Sequence, residues 1–137
     1  MAVLTVDGAL VSPVEIYKQW SAPGAGAIPA GKAVYRDATT GYATLCPGGA
    51  TVPEGISITT TSGAKQTVTA VQQGRIDLGG TVLAAVPFGT VLYSHTGGAL
   101  ETAPSDGDAQ AIGTVTPVFS RESSNALAPD HLLDVNL

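Results

Sequence analysis

Cys46, in the stretch TLCPGG, is the one thiol in this 137-residue chain, and His95 and His131 are its two imidazoles. A nucleophilic cysteine needs a base and an electropositive setting. Only those two histidines could supply the base, and neither sits in a recognisable motif, so the thiol reads as buried and inert. Two histidines so far apart, with no carboxylate at ligand spacing, do not make a metal site. The acidic stretch SDGDAQAIG (105–113) lacks the Asp-x-Asp-x-Asp-Gly frame and the bidentate Glu of a calcium loop, and reads as a solvated turn. GAGAIPAG (24–31) places Pro29 where a dinucleotide fingerprint needs its third glycine, and no helix follows. No Gly-x-Ser-x-Gly elbow, phosphate loop or His-Glu-x-x-His motif is present. The expectation is a non-enzyme with no catalytic residues, no cofactor and no metal.

The elements that would carry any site are short and β-branched. AVLTV (2–6), KAVYR (32–36), ISITTT (56–61), KQTVTAV (65–71), RIDL (75–78), TVLAAV (81–86), TVLY (90–93), GTVT (113–116) and HLLDVNL (131–137) read as strands. Gly, Pro, Asp or Ser separates most of them, which predicts an all-β fold, a small β-barrel or β-sandwich. One segment reads as a helix, SPVEIYKQW (12–20). Ser12 would be its N-cap, Pro13 its first residue, and Glu15 the partner in a capping box. The alternative is an extended arm, because the turn-rich stretch APGAGAIPAG (22–31) follows at once. The expected division is an N-terminal arm and connector over 1–28 and a β domain over 29–137.

Within the β domain one phrase occurs twice. PAGKAVYRDATTGY begins at Pro29 and PFGTVLYSHTGGAL at Pro87, an offset of 58 residues that also carries Gly55 onto Gly113. Pro-x-Gly makes a turn, since Pro presets φ and Gly tolerates positive φ. Strand alternation then puts Val34 or Leu92 on one face and Tyr35 or Tyr93 on the other. A Thr/Gly turn and a returning strand complete a hairpin, so the expected unit is hairpin, loop, strand, used twice and sharing one buried face. His95 stands where the first copy has Asp37, which reads as surface drift in a turn.

Composition bounds the class of partner. Charged residues are 12% of the chain, about half the usual soluble share. Residues 1–75 carry a net charge of +1 and residues 76–137 a net of −6. No basic footprint exists, which argues against nucleic acid. A single cysteine permits no intrachain disulfide. MAVLTVDGAL meets Asp7 before any long apolar run and is not read as a secretory signal, and no stretch approaches a membrane helix. Low charge suggests surfaces that meet other protein. Trp20 either anchors a partner, since Trp is enriched at binding hot spots, or closes one end of its own barrel, and Tyr17, Tyr35 and Tyr93 complete the candidate interface.

KQTVTAVQQGRIDLGGTVLAAVPFGTVLYSHTGGALETA resembles the capsid cement, or head decoration, proteins of tailed bacteriophages. The likeness rests on a Gly-x-x-[Val/Leu]-Tyr hairpin at 89–93 with its earlier copy at 31–35. The AIGTVTPV strand and the closing LLDVNL strand extend it, and together it covers roughly residues 29–137. It implies a trimer that binds the major capsid protein on the outside of the expanded shell and resists internal DNA pressure. The protein would be made in the host cytoplasm and carried on the virion exterior. The first 28 residues depart from the compact family core. On this reading the acidic half, with Glu101, Asp106 and Asp108, faces solvent. Two other classes fit the same composition: a trimeric tail, fibre or adhesin module, and a small β-barrel enzyme. Single substitution of Cys46, His95 and His131 tests the enzyme.

Overall fold

The computed structural model describes residues 3–79, 82–105, 107–118 and 130–137. The fold is all-β. Nine strands form a curled antiparallel sheet: β1 (Ser12–Pro23), β2 (Ala33–Arg36), β3 (Ala43–Leu45), β4 (Gly55–Ser57), β5 (Thr67–Asp77), β6 (Val91–Ser94), β7 (Leu100–Glu101), β8 (Ala111–Val118) and β9 (Asp130–Asn136). Their spatial order is β3-β2-β4-β5-β9-β8-β6-β7, with β1 added to β5. β5 is the spine. One of its edges pairs with β1 along its whole length; the other pairs first with β4 and then with β9. A bridge between Gly24 and Ala43 brings the end of β1 to β3, so the sheet curls back towards its first strand.

The duplicated phrase is a duplicated structure. Val34 pairs with Gly55 as Leu92 pairs with Gly113. The Gly31 N–H donates to the Ser57 carbonyl at 2.7 Å, and Gly89 donates to Val115 at 2.8 Å. Ser57 donates to Lys32 at 2.9 Å as Val115 does to Thr90 at 2.9 Å. Gly31 and Gly89 hold φ of 84° and 86°, a conformation that a side chain would strain. Chance likeness between two Gly/Thr/Val-rich segments would not reproduce the Pro-x-Gly turn, the register of the first and last strands and these hydrogen bonds at one offset, even though the hairpin turns between them differ by one residue.

Alternation behaves as expected: Val34 and Leu92 are fully buried, while Tyr35 and Tyr93 are half-buried. The shared core is less symmetric. Ala33, Cys46, Ile56 and Val71 join Leu92, Leu100, Ile112, Val115, Leu133 and Val135 in the main core. Val34 instead packs with Ala22, Ile28, Ala43, Val68 and Ala70 in a second cluster under the first copy.

Several local expectations are corrected: of AVLTV (2–6), Val3 makes an isolated bridge and residues 4–6 are not strand, and of ISITTT (56–61) only 56 and 57 lie in a strand, β4. Residues 12–20 are not a helix; they lie inside β1. A nine-residue helix is marginal in water without a packed face, whereas the edge of β5 pairs with ten of the twelve β1 residues, with register irregularities around Val14, Tyr17 and Lys18. Glu15, which would have closed the capping box, reaches across to Arg75 at 3.5 Å. The stretches 65–71 and 75–78 are one strand, because Gly74 is a close crossing and not a break. A Cβ there would lie 2.3 Å from the Glu15 carbonyl oxygen. Residues 82–86 are turns, not a strand. The Asp77 carboxylate accepts from the Gly79 N–H at 2.8 Å and starts the turns, which bury Leu83 and Val86.

Candidate functional site

The residues able to do chemistry are tied into the fold. Cys46 follows β3, and its N–H donates to the Ala33 carbonyl at 2.9 Å. Its thiol is buried, lies 3.5 Å from the Thr51 carbonyl, and is pushed above the usual thiol pKa by burial. The sign follows from linkage: a raised folded pKa favours the protonated thiol, so the native state loses stability as pH climbs past the unfolded thiol's pKa. Alkylation at neutral pH is therefore expected only through unfolding. Mass spectrometry after iodoacetamide treatment should show an unmodified native protein and full labelling in denaturant; rapid native labelling would refute this burial.

His95 follows β6, in the position equivalent to Asp37. Asp37 caps its own turn, accepting from the Thr39 N–H at 2.7 Å and the Thr40 N–H at 3.1 Å. His95 does something else, which corrects the reading of that position as drift. Its Nδ1 lies 3.2 Å from the Ser105 hydroxyl and 3.4 Å from the Glu101 carboxylate. Glu101 is fully buried, so it does not join a solvent-facing acidic side; Asp108 is exposed, and Asp106 lies outside the described residues. One Glu101 oxygen accepts from the Ser105 N–H at 2.9 Å and the Ser105 hydroxyl at 3.0 Å. The other meets His95 at ion-pair distance but has no hydrogen bond.

This is a poor catalytic geometry. Both partners crowd one ring nitrogen, and the serine hydroxyl is directed at a carboxylate instead of a base. It does tether the loop after β7 to the hairpin turn after β6. His131 sits apart, with its Nδ1 3.0 Å from the Val86 carbonyl and its ring stacked on Phe88 at 4.2 Å. Among the described residues no group of three or more His, Cys, Asp or Glu side chains is placed to hold a metal ion.

The interface candidates have three different surroundings. Tyr17, on β1, is 70% exposed, and its hydroxyl donates to the Glu15 carboxylate, which holds the phenol proton and raises its pKa. Trp20, on the same strand, turns inward. Its indole N–H donates to the Glu54 carbonyl at 3.0 Å, and the Arg36 guanidinium lies 4.8 Å over the ring. Arg36 also pairs with the Glu54 carboxylate at 3.1 Å, so Trp20, Arg36 and Glu54 lock β1 to the first hairpin. Tyr35 packs on the main core from β2. Tyr93 lies across from Glu101 in the β6–β7 pair.

Sequence reading put Ile16 on one face of the expected helix with Tyr17 and Trp20, and did not name Val14 or Ile16 as interface residues. With Tyr17 they give β1 a run of exposed apolar side chains, at 49%, 41% and 70% exposure. Period-2 alternation from Pro13 onward was the available signal, and the capping-box pattern masked it. Among the described residues β1 pairs with β5 and nothing else, so no described strand lies along its outer edge. The arrangement suits binding: a long strand edge with apolar and charged side chains, on a sheet where Cys46, His95 and His131 each contact a neighbouring group of the fold. No protein-family model, no curated protein and no solved structure matches the chain.

Proposed function

We propose that this chain is a structural binding protein of a tailed-phage virion, which attaches as a trimer to the major capsid protein on the outside of the expanded shell. The observation that carries the reading is β1: a twelve-residue strand whose outer edge no described strand covers, with exposed Val14, Ile16 and Tyr17, as an assembly protein needs. The resemblance of residues 29–137 to head decoration proteins names the assembly. A binder of this kind works by mass action and without turnover. If it binds the expanded lattice better than its precursor, it stabilises the expanded one. At a free concentration a hundredfold above Kd, each occupied site adds about 2.7 kcal/mol.

The test mixes purified protein with expanded undecorated capsids, with unexpanded precursor shells and with host cells. Co-sedimentation with expanded capsids and a raised capsid melting temperature are expected. Binding to cells in place of capsids would turn the reading into an adhesin, and binding to none of the three would overturn it.

A further inference from the structure

The edge of β7, the last strand in the order of the sheet, is closed by a segment that is lightly held. Val3 bridges Glu101, and the Leu4 N–H donates to the Leu100 carbonyl at 2.8 Å. No residue from 3 to 11 is buried; each is exposed or half-buried, and Leu4 and Val6 meet the main core only as half-buried neighbours. The segment has a turn at its far end. The Asp7 carboxylate accepts from the Ala9 N–H at 3.1 Å, and the Asp7 carbonyl accepts from the Leu10 N–H at 3.0 Å. Leu10 is fixed beyond that turn, since a Cβ on Gly79 would lie 2.3 Å from the Leu10 Cβ. Residues 3–6 can therefore leave β7 while the turn and β1 stay in place.

What the segment covers is costly to cover. Side chains directly opposite in an antiparallel pair share a face. Glu101 thus has Tyr93 on one side and Val3 on the other. Its carboxylate is fully buried. One oxygen accepts from the Ser105 N–H and hydroxyl; the other lies 3.4 Å from the His95 Nδ1 and makes no hydrogen bond. A buried carboxylate oxygen without a hydrogen bond carries a desolvation cost that water removes. Val3 and Ser105 border this one carboxylate, so the segment and the loop after β7 share its hydration as a common variable.

We propose that residues 3–6 and the Ser105 loop form one releasable closure over β7, and that the two open together at a free energy below that of global unfolding. When the segment leaves, β7 has a bare edge and Glu101 meets water. Water then competes with Ser105 for the carboxylate, and the loop loosens. When Ser105 is in place, one Glu101 oxygen is satisfied and closing Val3 over it costs less. The coupling is reciprocal by linkage. The closure controls access to a strand edge that templates pairing when uncovered. It stands whether or not the chain binds capsid.

Native-state hydrogen exchange on the full chain over a urea series tests the proposal. In wild type the Leu4 and Ser105 amides should exchange with similar free energies, and with a smaller urea slope than the amides of β5. Leu4→Pro removes the N–H that Leu100 receives. It should lower protection of the Ser105 amide roughly fivefold or more beyond any global change. Ser105→Ala removes the hydroxyl donor and should lower protection of the Leu4 amide by a comparable factor. A Leu4 amide that exchanges only by global unfolding would overturn the proposal, because the segment then does not release. So would a Ser105 amide unmoved by Leu4→Pro, because segment and loop are then independent. The wild-type urea series decides the first point even where Leu4→Pro fails to fold.

Discussion

Gly113→Ala is expected to be strongly destabilising. A Cβ at that position would sit 2.0 Å from the Asp134 carbonyl oxygen and 3.1 Å from the Val135 Cα, all of it backbone of β9. A backbone neighbour cannot rotate away, so β8 and β9 must separate along the ladder that joins the second copy to the spine. Overpacking in a tight core costs about 1–3 kcal/mol and sometimes more. With strand backbone as the obstacle, about 3 kcal/mol or more is expected, a large part of the roughly 5–15 kcal/mol that holds a typical domain folded. Gly55, its equivalent in the first copy, is the internal control. A Cβ there would meet the Ala70 Cβ at 2.9 Å and the Val71 oxygen at 3.1 Å, so Gly55→Ala should cost about 1–2 kcal/mol. Urea melts of the two variants would check both the size and the order; a Gly113→Ala protein as stable as wild type would show that the two strands do not approach this closely.

The second large effect is expected from Glu101→Ala. The carboxylate is fully buried and accepts two hydrogen bonds from Ser105. Truncation leaves a cavity and strips the Ser105 N–H of its acceptor. The His95 side chain, 32% exposed, recovers solvent, which softens the loss. About 2–4 kcal/mol is expected. Glu101→Gln keeps the shape and one acceptor oxygen, so it should cost less. The two variants also differ in what they free: in Glu101→Ala the backbone around Ser105 should lose hydrogen-exchange protection beyond the global change. If that loop keeps its protection, the carboxylate is not its anchor.

His95 and Glu101 show where reading by type and position stops. Nothing local marks Glu101 as buried. It follows a leucine in a two-residue strand, and acidic residues are seldom buried without partners. The burial becomes intelligible once β7 is closed on its outer edge by Val3 and the Ser105 loop folds over the carboxylate. His95 looked like a drifted Asp37 because the two turns share a pattern. The second turn closes one residue sooner, with His95 bonded to Ala99 where Asp37 bonds to Tyr42, and its side chain takes a different partner.

Local pattern alone determined that the chain is all-β, where β2, β6 and β9 begin and end to within a residue, and that one hairpin unit occurs twice. Alternation, Pro-x-Gly turns and β-branched runs act over a few residues, and a 58-residue offset preserves them in order. Tertiary structure decided what depends on a distant partner. Residues 12–23 became a strand because β5 had an edge to offer, and weak helix signals yield to such pairing. Trp20 turned inward because Glu54 and Arg36 receive it. The outer edge of β1, which carries the functional argument, exists only in the folded sheet: an edge is a property of which strands lie beside one another, and no single stretch of sequence contains it.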